Sequence, residues 1–174
     1  MEVRWHARGG QGAVTAAKAL AEAAVTGGKY VQAFPEYGPE RMGAPIRAYN
    51  RLSNKAIYIH GPVTQPQYVV VLDPTLIGMV DITEGTTDST IFIINTPRSP
   101  KEIREKLRLK GGKLYTIDAT RISQESLGRP IPNTPMLGAL VGISAVIGAE
   151  ALIEDIKKNF GKKFSQTIVD GNIE

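Results

Sequence analysis

The residue types best suited to chemistry gather in one short stretch, Arg8-Gly9-Gly10-Gln11-Gly12, between an alternating segment at residues 2–7 and an alanine-rich run at residues 13–24. Glycines at such a junction let the backbone turn tightly and approach a bound group. The helix that follows offers unpaired N–H groups and the positive end of its dipole to an anion. The chemistry this suits is the binding of a phosphate or carboxylate, with Arg8 as the paired cation. The order Gly9-Gly10-Gln11-Gly12 departs from the G-x-G-x-x-G dinucleotide fingerprint, and no Lys-Ser or Lys-Thr pair follows Gly12 as a Walker loop requires. Close packing of strand against helix explains the same glycines, and the local sequence leaves both readings open.

A second cluster lies in residues 35–45, which hold three prolines and two glycines and must form an irregular loop. The loop presents Tyr37, Glu40, Arg41 and Met42, a set rich in residue types that protein interfaces favour. Glu36, Glu40 and Arg41 could be read as acid–base groups, but nothing places a reacting atom between them, so a docking loop is the better reading. Asp73 and Asp118 end strand-like runs, where open α/β sheets place ligand contacts, yet each also stands where a helix takes its N-cap, and capping accounts for both. His6 reads as a packed, hydrogen-bonded side chain and His60 as a turn residue. No catalytic residue and no metal site are expected on this chain.

The elements that must position these residues follow from the pattern of apolar residues. Residues 2–7 form a strand, residues 13–24 a helix that stops near Gly27 and Gly28, and residues 30–34 a short second strand. Residues 46–52 and 56–60 read as a hairpin closed by a turn at Ser53-Asn54-Lys55. The β-branched runs at 68–72 and 90–94 have the pattern of central parallel strands, each followed by a cap and proline at Asp73-Pro74 and Ser99-Pro100. A further strand at 114–117 precedes Asp118. Residues 136–147 are almost wholly apolar, with Gly138 and Gly142 on one helix face, packed against either this chain's own core or another subunit. An amphipathic helix follows over residues 149–160. Strands alternating with helices predict an α/β fold: a mostly parallel sheet flanked by helices in a Rossmann-like three-layer arrangement, with a β-hairpin insertion. Residues 1–174 are expected to form a single domain, since no repeat or low-complexity linker divides them.

Composition narrows the function classes. The 174 residues include no cysteine, which excludes disulfides, thiolate nucleophiles and iron–sulfur clusters held by this chain's own thiolates. Only two histidines are present, which leaves little material for a metal centre or a catalytic triad. The net charge of +4 is spread along the chain among acids, so no nucleic-acid footprint is expected. The opening segment lacks the apolar core of a signal peptide and no apolar run is long enough to span a membrane; a cytoplasmic protein with no membrane partner is expected.

Taken together, RGGQG at the start of the first helix, YVQAFPEYGPERMGAP after it and YVVVLDPTL farther on resemble the gamma subunit of 2-oxoacid:ferredoxin oxidoreductases. The pyruvate enzymes of the family, the pyruvate synthases, are the most similar. The resemblance runs from residue 1 to about residue 160. Where the common family loop carries a second arginine and glycine, this chain has Met42 and Gly43-Ala44. The resemblance implies a non-catalytic subunit, inactive alone, of a complex that converts a 2-oxoacid, coenzyme A and oxidised ferredoxin into acyl-CoA, carbon dioxide and reduced ferredoxin. It implies that thiamine diphosphate, magnesium and 4Fe–4S clusters are held by partner subunits (alpha, beta and delta), with ferredoxin reached through the complex. It also implies that the chain packs against the other subunits and helps to form or cover the coenzyme A entrance; the anion-binding reading of Arg8, Gly9, Gly10, Gln11 and Gly12 then makes a coenzyme A phosphate their expected contact, and the docking reading makes a partner subunit the expected contact of Tyr37, Glu40, Arg41 and Met42. The competing class is a stand-alone nucleotide- or flavin-binding oxidoreductase of Rossmann-like fold.

Overall fold

The computed structural model describes residues 1–36, 43–161 and 165–173, and not the side chain of Phe160. Tyr37, Glu40, Arg41 and Met42 lie outside the described residues. Among the described residues, six strands form one sheet in the order β2-β3-β1-β4-β5-β6. These are β1 (Glu2–Arg8), β2 (Tyr30–Glu36), β3 (Pro45–Ser53), β4 (Tyr68–Val71), β5 (Ile91–Asn95) and β6 (Lys113–Ile117). β1, β4, β5 and β6 pair in parallel, while β3 runs antiparallel to both β1 and β2. β3 is therefore the one strand of the six that opposes the others.

Helices cover both faces, as the α/β pattern predicts, but unevenly. Val3, Trp5 and Ala7 of β1, Ala48 and Leu52 of β3, Val70 of β4 and Ile93 of β5 face one side. They pack under α1 (Ala13–Thr26), α4 (Asn133–Ser144) and α5 (Ala149–Phe160). The alanines of α1, buried at 13, 16, 17, 19, 23 and 24, let that helix lie close to the sheet. Asn50 ties the layers together: its Oδ1 accepts from the Trp5 indole at 2.8 Å and its Nδ2 donates to the Ala17 carbonyl at 2.8 Å. On the other face Val69, Val71, Phe92 and Ile94 meet Ile103 of α2 (Pro100–Leu107) and the segment bearing Leu76, Ile77 and Ile82. Beyond these, α3 (Ala119–Leu127) follows β6 and α6 (Gln166–Ile173) packs against α3 and α5. α3 begins at the cap expected of Asp118, whose side chain accepts from Arg121 N, whereas α6 is an element that the sequence pattern does not predict. No helix among the described residues is long and apolar enough to cross a membrane.

Three local expectations need correction. The hairpin is formed by β2 and β3, not by residues 46–52 with 56–60. β3 is paired on both edges, by β1 and β2, so no edge remains for a returning strand, and Tyr58 and Ile59 are exposed. After Asp73-Pro74 the chain makes only a 3-10 turn, Pro74–Leu76, because Ile77 is already extended at ψ 113° and Gly78 at φ 91° then turns the chain back. Gly138 and Gly142 are exposed and serve no close packing among the described residues, where a Cβ at either would meet nothing within 4 Å.

Candidate functional site

The glycine loop leaves the C-terminal end of β1 and opens α1, as the sequence predicts. Gly10 at φ 96° and Gly12 at φ 84° adopt a left-handed backbone that other residues rarely adopt. Gly12 also meets a steric demand, because a Cβ there would lie 2.7 Å from Asn133 Nδ2 at the start of α4. The close packing that the glycines permit is thus between the loop and α4, whereas Gly10 has open space above it.

Beneath the loop, one carboxylate at the end of β4 gathers its side chains. Asp73 Oδ2 accepts from Gln11 Nε2 at 2.7 Å and lies 3.3 Å from Arg8 Nε. Asp73 Oδ1 accepts from the Thr75 backbone N–H at 2.9 Å and from its hydroxyl at 2.7 Å. The other end of Gln11 closes back on the loop, its Oε1 accepting from the Arg8 backbone at 2.8 Å. Arg8 Nη1 donates to the Gly43 carbonyl at 3.1 Å, and its Nη2 donates to Thr75 Oγ1 at 3.0 Å. Burial would raise the Asp73 carboxyl, but hydrogen bonds from Thr75 and Gln11 and the nearby Arg8 charge outweigh it and hold Asp73 below the ordinary carboxylate value. Asp73 therefore caps its turn, as expected, and also anchors the loop. Arg8, expected to pair with a phosphate, turns its guanidinium to this network and does not line the pocket above the loop.

That pocket, of about 280 Å³, is where Gly10, Gly12 and Thr15 face Asn133 and Thr134. Two helix N-termini, those of α1 and α4, converge on it, and neither has a side-chain cap. Uncapped first turns leave backbone N–H groups turned outward with the positive dipole end behind them. Arg129 stands exposed at the rim, and no carboxylate lines the pocket among the described residues. The turn bearing Arg129 is fixed by the buried Ser123 hydroxyl, which donates to the Arg129 carbonyl at 2.6 Å and accepts from Ile131 N at 3.1 Å. Leu127, Ile131 and Ile168 supply an apolar wall. A polar end that prefers negative charge beside an apolar wall suits an elongated ligand with an anionic head.

Sequence reasoning found the glycine loop and missed Arg129 and Asn133. The signal available was Arg129-Pro130-Ile131-Pro132-Asn133, a proline-broken turn that ends at a helix start. On the second sheet face, His6 is buried, with Nε2 accepting from Arg4 Nε at 3.1 Å. Burial and the charges of Arg4 and Arg47 push its pKa from 6.5 down to about 3. It is a packed, neutral side chain, as expected. Among the described residues no group of three histidines and carboxylates could hold a metal ion.

Comparison with known proteins places this geometry in context. Residues 2–174 match the family described as pyruvate ferredoxin/flavodoxin oxidoreductase. The chain is 48% identical over 171 residues to the pyruvate synthase subunit PorC of Thermotoga maritima, covering 98% of this chain and 88% of that one. It is 50% identical over 166 residues to the common subunit gamma of the pyruvate/ketoisovalerate oxidoreductases of Pyrococcus furiosus, covering 95% and 90%. The crystal structure of the Thermotoga maritima pyruvate oxidoreductase subunit superposes with a TM-score of 0.87 at 44% identity, covering 99% of this chain and 90% of that one. A 2-oxoglutarate:ferredoxin oxidoreductase from Magnetococcus marinus, solved with 2-oxoglutarate, coenzyme A and succinyl-CoA bound, shares the fold with a TM-score of 0.80 at 21% identity. In that protein the match covers 99% of this chain but 29% of the longer one.

Proposed function

Because this chain belongs to the pyruvate ferredoxin/flavodoxin oxidoreductase family, we propose that it is the gamma-type subunit of a multi-subunit 2-oxoacid:ferredoxin oxidoreductase, acting on pyruvate. The complex oxidises a 2-oxoacid with loss of carbon dioxide, passes the acyl group to coenzyme A and hands the electrons to ferredoxin. In this reading residues 1–174 act as one cytoplasmic domain beside alpha, beta and delta partners. Thiamine diphosphate, magnesium and the 4Fe–4S clusters belong to those partners. A chain with no cysteine has no thiolate to give a cluster, and among the described residues no acid–base pair converges on the glycine-loop pocket, which supports placing the chemistry on other subunits. The family match lends no support to the stand-alone nucleotide- or flavin-binding alternative, which is dropped.

What this chain contributes is a binding surface for coenzyme A. The observation that carries this is the pocket over Gly10 and Gly12, where two uncapped helix N-termini meet Arg129 with no opposing carboxylate among the described residues. A phosphate fits the polar end, and the apolar wall of Leu127, Ile131 and Ile168 fits the pantetheine arm. The loop of Tyr37, Glu40, Arg41 and Met42 is assigned to a partner interface in the same reading.

The test is to express the chain with its alpha, beta and delta partners, purify through a tag on this chain alone, and assay ferredoxin reduction that depends on 2-oxoacid and coenzyme A. A brown complex whose activity needs this chain, and whose KM for coenzyme A rises on Arg129→Ala, is expected. A chain that never associates with those partners overturns the subunit reading. An unchanged coenzyme A KM in an active Arg129→Ala complex overturns the binding role alone.

A further inference from the structure

Asp73 does more than cap the turn that follows β4. It lies at the end of a central strand, only 8% exposed, and both of its oxygens are engaged. One oxygen faces Thr75 and fixes the carboxylate; the other faces Gln11, which stands between the two left-handed glycines of the loop. Gln11 bonds in both directions, to Asp73 through its amide nitrogen and to the Arg8 backbone through its amide oxygen. The loop is therefore tied down from the sheet side by Gln11, while Gly10 and Gly12 line the pocket on the other side. Arg8 extends the same anchor to the end of the neighbouring loop, through the Gly43 carbonyl, and Gly9 N donates to the Ala44 carbonyl at 2.9 Å.

We propose that Asp73 is the positioning residue of the glycine-loop pocket, holding through Gln11 the backbone that receives the anionic end of the ligand. This rests on the reading of that pocket as the coenzyme A site. Three glycines in a short loop give it many alternative conformations, and a loop that must be ordered at the moment of binding loses affinity by the cost of ordering it. Anchoring Gln11 removes that cost in advance. The effect belongs to binding, because Asp73 touches no reacting atom and does not line the pocket.

The experiment uses the assembled complex and compares Asp73→Asn, Gln11→Ala and the double variant by steady-state kinetics with respect to each substrate. Asp73→Asn keeps the shape of the side chain while removing its charge, and Gln11→Ala leaves the carboxylate and its Thr75 bonds in place, so the test survives if one variant fails to assemble. Each single variant is expected to raise the KM for coenzyme A roughly tenfold, equivalent to about 1.4 kcal/mol, with kcat and the KM for the 2-oxoacid within about twofold of wild type. The double variant is expected to be no worse than the more affected single, because both act through one link. A loss confined to assembly or thermal stability, or effects on the coenzyme A KM that multiply in the double variant, overturns the proposal. If the two variants leave that KM unchanged while Arg129→Ala raises it, the positioning role fails and the pocket stands. If Arg129→Ala is silent as well, the pocket reading fails with it.

Discussion

Arg8 is bound within its own chain to Thr75, Gly43 and Asp73, whereas Arg129 is exposed at the rim of the glycine-loop pocket, so truncating each is expected to fail in a different way. Arg8→Ala strips a charged partner from Asp73 and a donor from the Gly43 carbonyl, and is expected to lower stability by about 1–2 kcal/mol. Arg129→Ala removes a side chain that stands in solvent and is expected to change stability by less than about 0.5 kcal/mol, while raising the KM for coenzyme A. Urea denaturation and a coenzyme A titration of the same two variants separate the roles. Gly12 gives a third contrast at this scale. Gly10→Ala meets only backbone strain, about 1–2 kcal/mol at a left-handed position, since nothing among the described residues lies within 4 Å of the added Cβ. Gly12→Ala adds to the same strain a collision with Asn133 at 2.7 Å, and so is expected to be the more destabilising of the two by thermal denaturation.

Among the elements, α2 shows most plainly what a sequence can announce. Ser99 accepts from the Glu102 backbone while the Glu102 carboxylate accepts from the Ser99 N–H at 2.9 Å, and Pro100 follows the cap. Ser99→Ala is expected to cost about 1 kcal/mol, read as a shift of the denaturant midpoint with an unchanged slope. That cap, the β-branched strands β4 and β5, and the glycine-opened α1 were legible because each is specified by neighbours in sequence. β3 was legible as a strand but not in its pairing: its partners are chosen by which edges are free, and β2 is a half-buried edge strand with little alternation of its own. The cap and proline at Asp73-Pro74 specify only where the turn begins; it ends at the extended Ile77 just before Gly78, and that end has no local signal as strong as the cap. The site divides in the same way. Gly10 and Gly12 announce themselves locally, but Asn133 and Arg129 join them only because α4 packs against the loop, across more than a hundred residues of chain. Asp73 looked like a cap because it is one; its bond to Gln11 depends on β1 and β4 being parallel neighbours.

Across the whole molecule, the two faces of the sheet are built differently, and the difference governs how the protein answers to acid. The face under α1, α4 and α5 is apolar, whereas the opposite face of β1 and β3 carries Arg4, His6, Arg47 and Arg51. Arg4 is buried there, its guanidinium donating to the carbonyls of Ile82 and Glu84 at 2.9 and 2.6 Å and its Nε to His6. His6 must stay neutral to accept that bond, which is why burial and the arginine charges take its pKa from 6.5 to about 3. Below pH 6.5 the unfolded chain takes up a proton at His6 and the folded chain does not, so acidification favours unfolding by up to about 1.4 kcal/mol per pH unit until pH falls to about 3. Asp73 acts in a lower window: its folded pKa lies below the ordinary 3.8, so the stability it contributes is present above that value and is lost as pH falls through the folded one. Between pH 6.5 and 4 the His6 contribution is therefore separable from that of Asp73. His6→Gln retains an acceptor for Arg4 but has no proton to gain in this range. Urea midpoints measured in steps from pH 7.5 to 4 are expected to fall more steeply for wild type than for His6→Gln, the two curves differing in slope by about 1 kcal/mol per pH unit. Parallel curves would mean that His6 takes up its proton in the folded protein, and so that the Arg4–His6 bond does not hold this face of the sheet together.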